Sequence, residues 1–365
     1  MTTIARPDGP SWAAPALVDA HIHPDKTSWG GAWMSRRPAT TLLECIANDL
    51  ATQNDYTVSV EERAFALFST ALSNGTLAMR AHVDVSSELG TGNVEGVRAA
   101  AERLAPYLTV QIVAFPQFGL LTNPGTLQVM AAALQSGADL VGGIDPNGLE
   151  HDVDGHLDAV FGLAVRAGRD VDIHLHDGGE SGLAQIRQIA VRTIAEGMQG
   201  RVTVSHAFAL ADLAAPSLRS TLDDLARAGV WVTTCALGAD PVPDLDLLDE
   251  HGVRVAAGSD GVRDAWTPFG TASMVDRAHL LAYRTGAVTD GQLERCYRIA
   301  SLEGARLLGV ADLSEWSGPE QSTRLEFAAS SLAEVVVDRP APTRVIRNGA
   351  DVSAGRIPSP SIVAS

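Results

Sequence analysis

The stretch LVDAHIHPDKTSWG, residues 17–30, ends an apolar run on two histidines one residue apart, His21 and His23. In an extended strand residues i and i+2 share a face, so both imidazoles can point the same way. Taken alone, the pair is either the start of a metal site or two histidines on a polar face.

Working outward, short β-branched runs recur, each followed by a longer helical pattern. The strand candidates are 16–23, 77–85, 108–115, 140–144, 170–176, 201–207, 230–237 and 253–259. Between them lie segments such as EERAFALFSTALSNG and SGLAQIRQIAVRTIAEG. Apolar residues in both recur at i, i+3, i+4 and i+7, and both end in glycine, the pattern of an amphipathic helix with a C-terminal stop. Eight strands alternating with helices predict a parallel sheet closed into a (β/α)8 TIM-like barrel. An open doubly wound sheet is the alternative, but no GxGxxG follows the first strand.

Polar residues crowd the C-terminal ends of these strands, where barrel enzymes keep their chemistry. The first strand ends in His21 and His23, the second in His82 and Asp84, and the third runs into Phe115 and Gln117. The fifth ends in His174, His176 and Asp177, the sixth in His206, and the eighth in Asp260. Six of the ten histidines fall at such ends, far more than a random scatter would place there. His21, His23, His174 and Asp260 together offer three nitrogens and a carboxylate oxygen, a set that suits Zn²⁺ or Fe²⁺. His82 and Asp84 share a face and read either as partners that orient metal ligands or as a buried polar network. His151, His156, His251 and His279 fall in loops or helices and read as surface residues.

Composition narrows the class. The chain has 365 residues, 45% of them hydrophobic and 19% charged, as in an ordinary globular protein. A formal net charge of −17 argues against nucleic acid or an anionic membrane as partner. Cys45, Cys235 and Cys296 lie far apart with no CxxC, so a reducing compartment, the cytoplasm, is expected. The opening MTTIARPDGPSWAAP has no apolar core, and no signal peptide is expected. No apolar run is long enough to span a membrane. A homo-oligomer stays open.

Five stretches, VDAHIHPDKT, FPQFG, DIHLHDGGESG, VSHAFAL and GSDGVRDAWTPFG, resemble the successive motifs of the amidohydrolase superfamily. Within it they are most similar to the cytosine deaminase group, which includes hydrolases of aminated pyrimidines, pterins and triazines. The resemblance covers residues 16 to 350. It implies that His21, His23, His174 and Asp260 hold a single catalytic divalent metal, and that His206 hydrogen-bonds the reacting water and the charge forming on the substrate. It implies that Gln117 hydrogen-bonds the heterocycle, with Phe115 and Trp266 flanking the ring. Binuclear members bridge two metals with a lysine at the end of strand 4; here that strand reads LVGGIDPNG, with Asp145 and no lysine. One metal per chain is therefore expected.

Two departures from the group's pattern matter. The glutamate that shuttles protons, three residues after the strand 5 histidine, is Asp177 here, and Glu180 lies three residues further on. Either carboxylate can serve as general acid and base. A further aspartate after the strand 8 aspartate is Gly261 here. Its loss opens space and makes a larger or differently substituted ring at least as fitting as cytosine. The expected reaction is hydrolytic deamination of an amino-substituted N-heterocycle. Cleavage of a ring amide, or release of an alkylamine from a triazine-like ring, is the alternative, and a barrel that only binds metal or ligand is the third reading.

Residues 16–310 are expected to form the barrel, with helices over 264–309. Residues 311–355, joined by 1–15, are expected to add a small β appendage made mainly from the C-terminus, with RLEFAASSLAEVVVDRPAPTRVIRNGADV as short strands and turns. Residues 356–365 are expected to be a disordered tail.

Overall fold

Runs of buried apolar residues set the strands, and their order sets the barrel. The computed structural model describes residues 10–353; the expected tail at 356–365 lies outside them. In chain order the strands are β1 (Trp12–Ala14), β2 (Leu17–Ile22), β3 (Thr76–Asp84), β4 (Thr109–Phe115), β5 (Leu140–Ile144), β6 (Asp170–Leu175), β7 (Val202–His206), β8 (Trp231–Thr234), β9 (Val255–Ala257), β10 (Arg324–Phe327), β11 (Arg344–Arg347) and β12 (Ala350–Asp351). Strands β2 to β9 form one parallel sheet in sequence order. All eight expected strands are present, and the architecture is a (β/α)8 barrel. β1, β10, β11 and β12 form a separate antiparallel sheet, one strand from before the barrel and three from after it.

The sheet closes where its first strand meets its last. Ile22 bridges Asp260 in parallel fashion. The Asp260 N–H donates to His21 O at 2.8 Å, and the His23 N–H to Asp260 O at 3.4 Å. Asp19 spans the same seam, its Oδ1 accepting from the N–H groups of His21 (3.2 Å) and Ser259 (2.9 Å). The strands meet this closely only because residue 258 is glycine. A Cβ there would lie 2.5 Å from the carbonyl oxygen of His21 and 2.4 Å from its Cβ.

Alternation along each strand sorts side chains between helices and barrel axis. Leu77, Met79, Ala81 and Val83 of β3 are fully buried members of the core. On the other face Arg80 donates to Asp172 Oδ2 (2.9 Å) and Thr203 Oγ1 (3.0 Å). The barrel interior is thus polar along its axis, with Arg80 below and the histidines above.

Two local expectations are corrected, at 264–273 and at 332–338, and the helices expected up to 309 are given their bounds. Residues 264–273 form a loop, and the helix begins at Met274. Asp264 Oδ1 accepts from the N–H groups of Trp266 and Thr267, both at 2.9 Å, which fixes a turn just before Pro268. The segment 289–309 is two helices, Asp290–Ile299 and Leu302–Leu307, parted at Ser301, whose φ and ψ are −140° and −92°. Leu332–Asp338, expected within a run of strands, is a helix. Ser331 caps it by accepting from the Glu334 N–H at 3.1 Å, and it packs on the Asp290–Ile299 and Met274–Thr285 helices.

The seam generates a prediction. Gly258→Ala should destabilise the protein by about 1–3 kcal/mol, as overpacking does. Gly291→Ala, where a Cβ meets nothing within 4 Å, should be neutral or stabilising by up to about 1 kcal/mol. Urea unfolding followed by circular dichroism reads both; equal midpoints for the two variants would contradict the role given to the seam.

Candidate metal-dependent active site

The site begins at the closure. β2 ends in His21 and His23, β6 carries His174, and the turn after β9 supplies Asp260. His21 Nε2 lies 3.3 Å from His23 Nε2, which lies 3.4 Å from His174 Nε2. Asp260 Oδ1 is 3.3 Å from His23 Nε2 and 3.9 Å from His21 Nε2. The ligand atoms of His21, His23 and His174 all lie within 4.8 Å of one another.

Hydrogen bonding fixes the His21 tautomer. Ser205 Oγ donates to Asp172 Oδ1 at 2.7 Å, so it accepts from His21 Nδ1–H at 3.0 Å. His21 Nε2 is left with a bare lone pair facing the cluster. Burial holds His21 and His174 well below the ordinary histidine range, and burial with the Lys26 charge lowers His23. Burial opposes ionisation of Asp260, but the hydrogen bond from His23 and the surrounding imidazoles outweigh it and keep the carboxyl well below its usual range. Bare imidazole lone pairs this close repel unless a proton or a cation lies between them. Three such nitrogens and an ionised carboxylate fit a divalent transition ion.

The support extends down the barrel. His21 leans on Ser205, Ser205 on Asp172, and Asp172 on Arg80. His82 stacks on His21 with ring centroids 3.9 Å apart, and its Nε2 is 3.7 Å from Asp172 Oδ2. Asp84 pairs instead with Lys26, Oδ1 to Nζ at 3.1 Å. The backbone is held in the left-handed region at Asp145 (φ 31°), His206 (φ 68°) and Asp260 (φ 60°). Strain of this kind in non-glycine residues concentrates at functional sites.

Above the donors opens a cavity of about 880 Å³. His23, His174, His176, His206, Lys26 and Gln117 face its floor; Trp266, Phe208, Phe269 and Leu280 stand on its walls. Lys26 is 1% exposed and spends its three donors on Asp84, Asp49 (3.3 Å) and Gln117 Oε1 (2.6 Å). Burial opposes the ammonium, but Asp49 and Asp84 outweigh it and raise its pKa above the ordinary range. Since an ammonium only donates, Gln117 turns its oxygen to Lys26 and has its NH₂ left for the cavity. Trp266 Nε1 donates to Asp49 Oδ2 at 2.9 Å.

Not every expected residue reaches the cavity. Phe115 lies behind His174, stacked on it at 4.0 Å and fully buried. Asp177 accepts from Gln185 Nε2 at 2.8 Å, and Glu180, exposed, accepts from the Ser217 N–H at 3.1 Å. Neither carboxylate lines the cavity. Strand parity is the reason: His174 and His176 share the inward face, so Asp177 turns toward the helix Gly179–Ala195. Facing the cavity instead is His176, whose Nδ1 donates to Asp145 Oδ2 (2.8 Å) and whose N–H donates to Asp145 Oδ1 (2.7 Å). It stacks on His206 with centroids 4.5 Å apart. Burial lowers His206 to about 3, so this imidazole is neutral.

His156, expected at the surface, is fully buried. Its Nδ1 sits 3.5 Å from Glu150 Oε1, and Glu150 accepts from the N–H groups of Leu120, Leu121 and Thr122. Burial works against the Glu150 charge, yet the adjacent His156 imidazole and the hydrogen bonds from these N–H groups hold its pKa at about 2. The pair pins the loop that carries Gln117. Ser205, Asp172 and Asp264 join the site through tertiary contacts that no local sequence pattern marks. The only signal for Lys26 was a lysine three residues after the HxH pair.

A parallel barrel with imidazoles and a carboxylate converging at the C-terminal ends of its strands defines a class, the barrel hydrolases. The chain belongs to the amidohydrolase family, whose model matches residues 12–314. It lies near the cytosine deaminase group and is a hydrolase of carbon–nitrogen bonds other than peptide bonds. It is 32% identical over 346 residues to N-isopropylammelide isopropyl amidohydrolase of Pseudomonas sp. strain ADP, covering 92% of this chain and 84% of that one. The crystal structure of N-isopropylammelide isopropylaminohydrolase from Burkholderia multivorans superposes with a TM-score of 0.89 at 37% identity, over 96% of this chain and 90% of that one. The 5-methylcytosine deaminase of Klebsiella pneumoniae, liganded with 5-fluorocytosine, gives 0.80 at 25% identity, over 93% and 86%. Among the described residues no helix is long and apolar enough to cross a membrane.

The Ser205 link can be tested. Ser205→Ala should weaken metal retention about 10- to 100-fold, as loss of a partner that orients a ligand does, while the fold survives. Chelator competition followed by elemental analysis measures this; unchanged retention would contradict the link.

Proposed function

We propose that this chain hydrolyses the bond between an N-heterocycle and an exocyclic amine, with one divalent ion, Zn²⁺ or Fe²⁺, held by His21, His23, His174 and Asp260. When bound, such an ion supplies Lewis acidity and a water acidified to a pKa of about 7. One ion suits the site because both oxygens of Asp145, the carboxylate at the end of β5, are engaged by His176.

The rest falls to the chain's own residues. Gln117 donates to an acceptor on the ring, and Trp266 packs beside it. His206 Nδ1 faces Asp260 Oδ2 at 3.9 Å, and this neutral imidazole hydrogen-bonds the attacking water and stabilises the charge that grows on the ring. His176, with Nδ1–H committed to Asp145, has Nε2 left to take the proton from the attacking water and pass it to the departing amine. The two imidazoles stand where Asp177 and Glu180 do not reach.

The observation that carries the choice of substrate is the cavity. At about 880 Å³, with Phe208, Phe269 and Leu280 above a polar floor, it has room for a ring bearing an apolar substituent. Release of an alkylamine from a triazine-like ring therefore fits best, and the likeness to two isopropylammelide hydrolases supports it. Ammonia release from an aminated pyrimidine is the second reading, supported by the likeness to 5-methylcytosine deaminase.

The metal-loaded protein, offered alkylaminotriazines, aminotriazines, cytosine and pterins, should release alkylamine from the first group most readily. Chromatography of the released amine decides, and ammonia from cytosine as the main product would favour the second reading. His23→Ala should lose metal and turnover together. His206→Ala and His176→Ala should keep metal and lose about 10²- to 10⁴-fold in kcat. Asp177→Asn and Glu180→Gln should stay near wild type; a severe loss with metal bound in either would restore the carboxylate shuttle.

A further inference from the structure

Asp264 is a buried carboxylate, one oxygen of which makes no hydrogen bond within the fold. It is 1% exposed and lies in the cavity wall. Oδ1 accepts from the N–H groups of Trp266 and Thr267 at 2.9 Å each, and this alone shapes the turn. Oδ2 is buried with no hydrogen-bond partner. Leaving such an oxygen unpaired is costly, and native proteins keep few of them.

The place of Oδ2 is set by a neighbour. A Cβ on Gly261 would lie 2.2 Å from it, so the carboxylate fills the volume that a side chain at 261 would take. Gly261 is absent from the residues with left-handed backbone; what glycine provides here is room. Gly261 also lines the cavity and directly follows Asp260, so Oδ2 lies against the segment that carries the aspartate of the donor set. Lys26, the nearby ammonium, has already spent its three donors on Asp49, Asp84 and Gln117.

Deepening the functional reading above, on which it rests, we propose that Asp264 reads the heterocycle, its Oδ2 accepting a hydrogen bond from a ring N–H or exocyclic amino group. Burial pushes this carboxyl up to about 7, as expected of an acceptor whose donor comes with the substrate. With the Gln117 amide donating, the cavity offers one donor and one acceptor to the ring. The substrates it fits are rings that carry both a carbonyl or bare ring nitrogen and an N–H, and rings alkylated at that nitrogen are excluded.

Two variants of the zinc-loaded full chain test this. Asp264→Asn keeps an oxygen for the two backbone N–H groups and turns the reading atom from acceptor to donor. Gly261→Ala keeps the carboxylate and pushes Oδ2 aside. Both should retain zinc, Asp264→Asn with an unchanged thermal midpoint and Gly261→Ala with a lowered one, and both should lose about 10- to 100-fold in kcat/KM, mainly through KM, and bind the ring correspondingly more weakly in calorimetry. Wild type should prefer a lactam ring over its N-methyl analogue at least about 10-fold, and Asp264→Asn should abolish that preference. If Asp264→Asn fails to fold, Gly261→Ala decides. Should both variants, or the one that folds, match wild type within about threefold in KM, binding and N-methyl preference, Asp264 is only a loop staple and the proposal is overturned while the hydrolase reading stands. Should wild type neither bind nor turn over any heterocycle of the panel, the functional reading fails, and the proposal with it.

Discussion

The barrel closes through the same residues that form its site. The hydrogen bond from the Asp260 N–H to His21 O, 2.8 Å long, joins the last strand to the first. Both residues then offer side chains to one point above the seam. A ring of eight strands has no free edge, and its final pairing is the most non-local one, bringing residue 21 to residue 260. Until that pairing forms, the donor set is incomplete, because His21 and His23 stand on one side of the gap and Asp260 on the other. Folding and assembly of the metal-type centre are therefore one event, with Gly258 as its steric condition.

Around that point the fold accepts unfavourable local states. Asp145, His206 and Asp260 have positive φ, a conformation costing of order 1–3 kcal/mol each. His82 is buried with neither ring nitrogen hydrogen-bonded, and the Lys26 ammonium is carried into the interior among carboxylates. Rigid strands beneath over-determine these positions. The result is preorganisation: polar groups already aimed, so that little reorganisation is needed when charge develops on a bound substrate.

Much of this was legible in the chain. All eight barrel strands could be read from β-branched runs and their spacing, since parallel strands buried on both faces are nearly continuous apolar stretches. The donor residues stood out because i, i+2 parity is a one-dimensional signal. The same parity, carried one step past His174, places His176 inward and Asp177 outward, although family spacing favours Asp177. The helix over Leu332–Asp338 was hidden by Val335, Val336 and Val337, whose β preference gave way to the Ser331 cap and to packing. The partners of Lys26, at 49, 84 and 117, come from three separate segments, and no local pattern announces such a meeting. The burial of His156 and the fit of Asp264 into the gap at Gly261 are likewise products of tertiary geometry.

The contact between Lys26 and Gln117 has a consequence for the state in which a ring binds. Hydroxylated and aminated N-heterocycles exchange a proton between ring nitrogen and exocyclic atom in water, so each exists as a mixture of tautomers. A glutamine free to flip would accommodate either partner. Here the ammonium holds the amide oxygen, and a flip would set NH₂ against NH₃⁺. For a ring seated as proposed, the atom opposite Gln117 must carry a lone pair, and the mobile hydrogen must sit elsewhere on the ring. One buried lysine would then select a tautomer before any bond is broken, and the reacting carbon would meet the site with its electron demand already fixed.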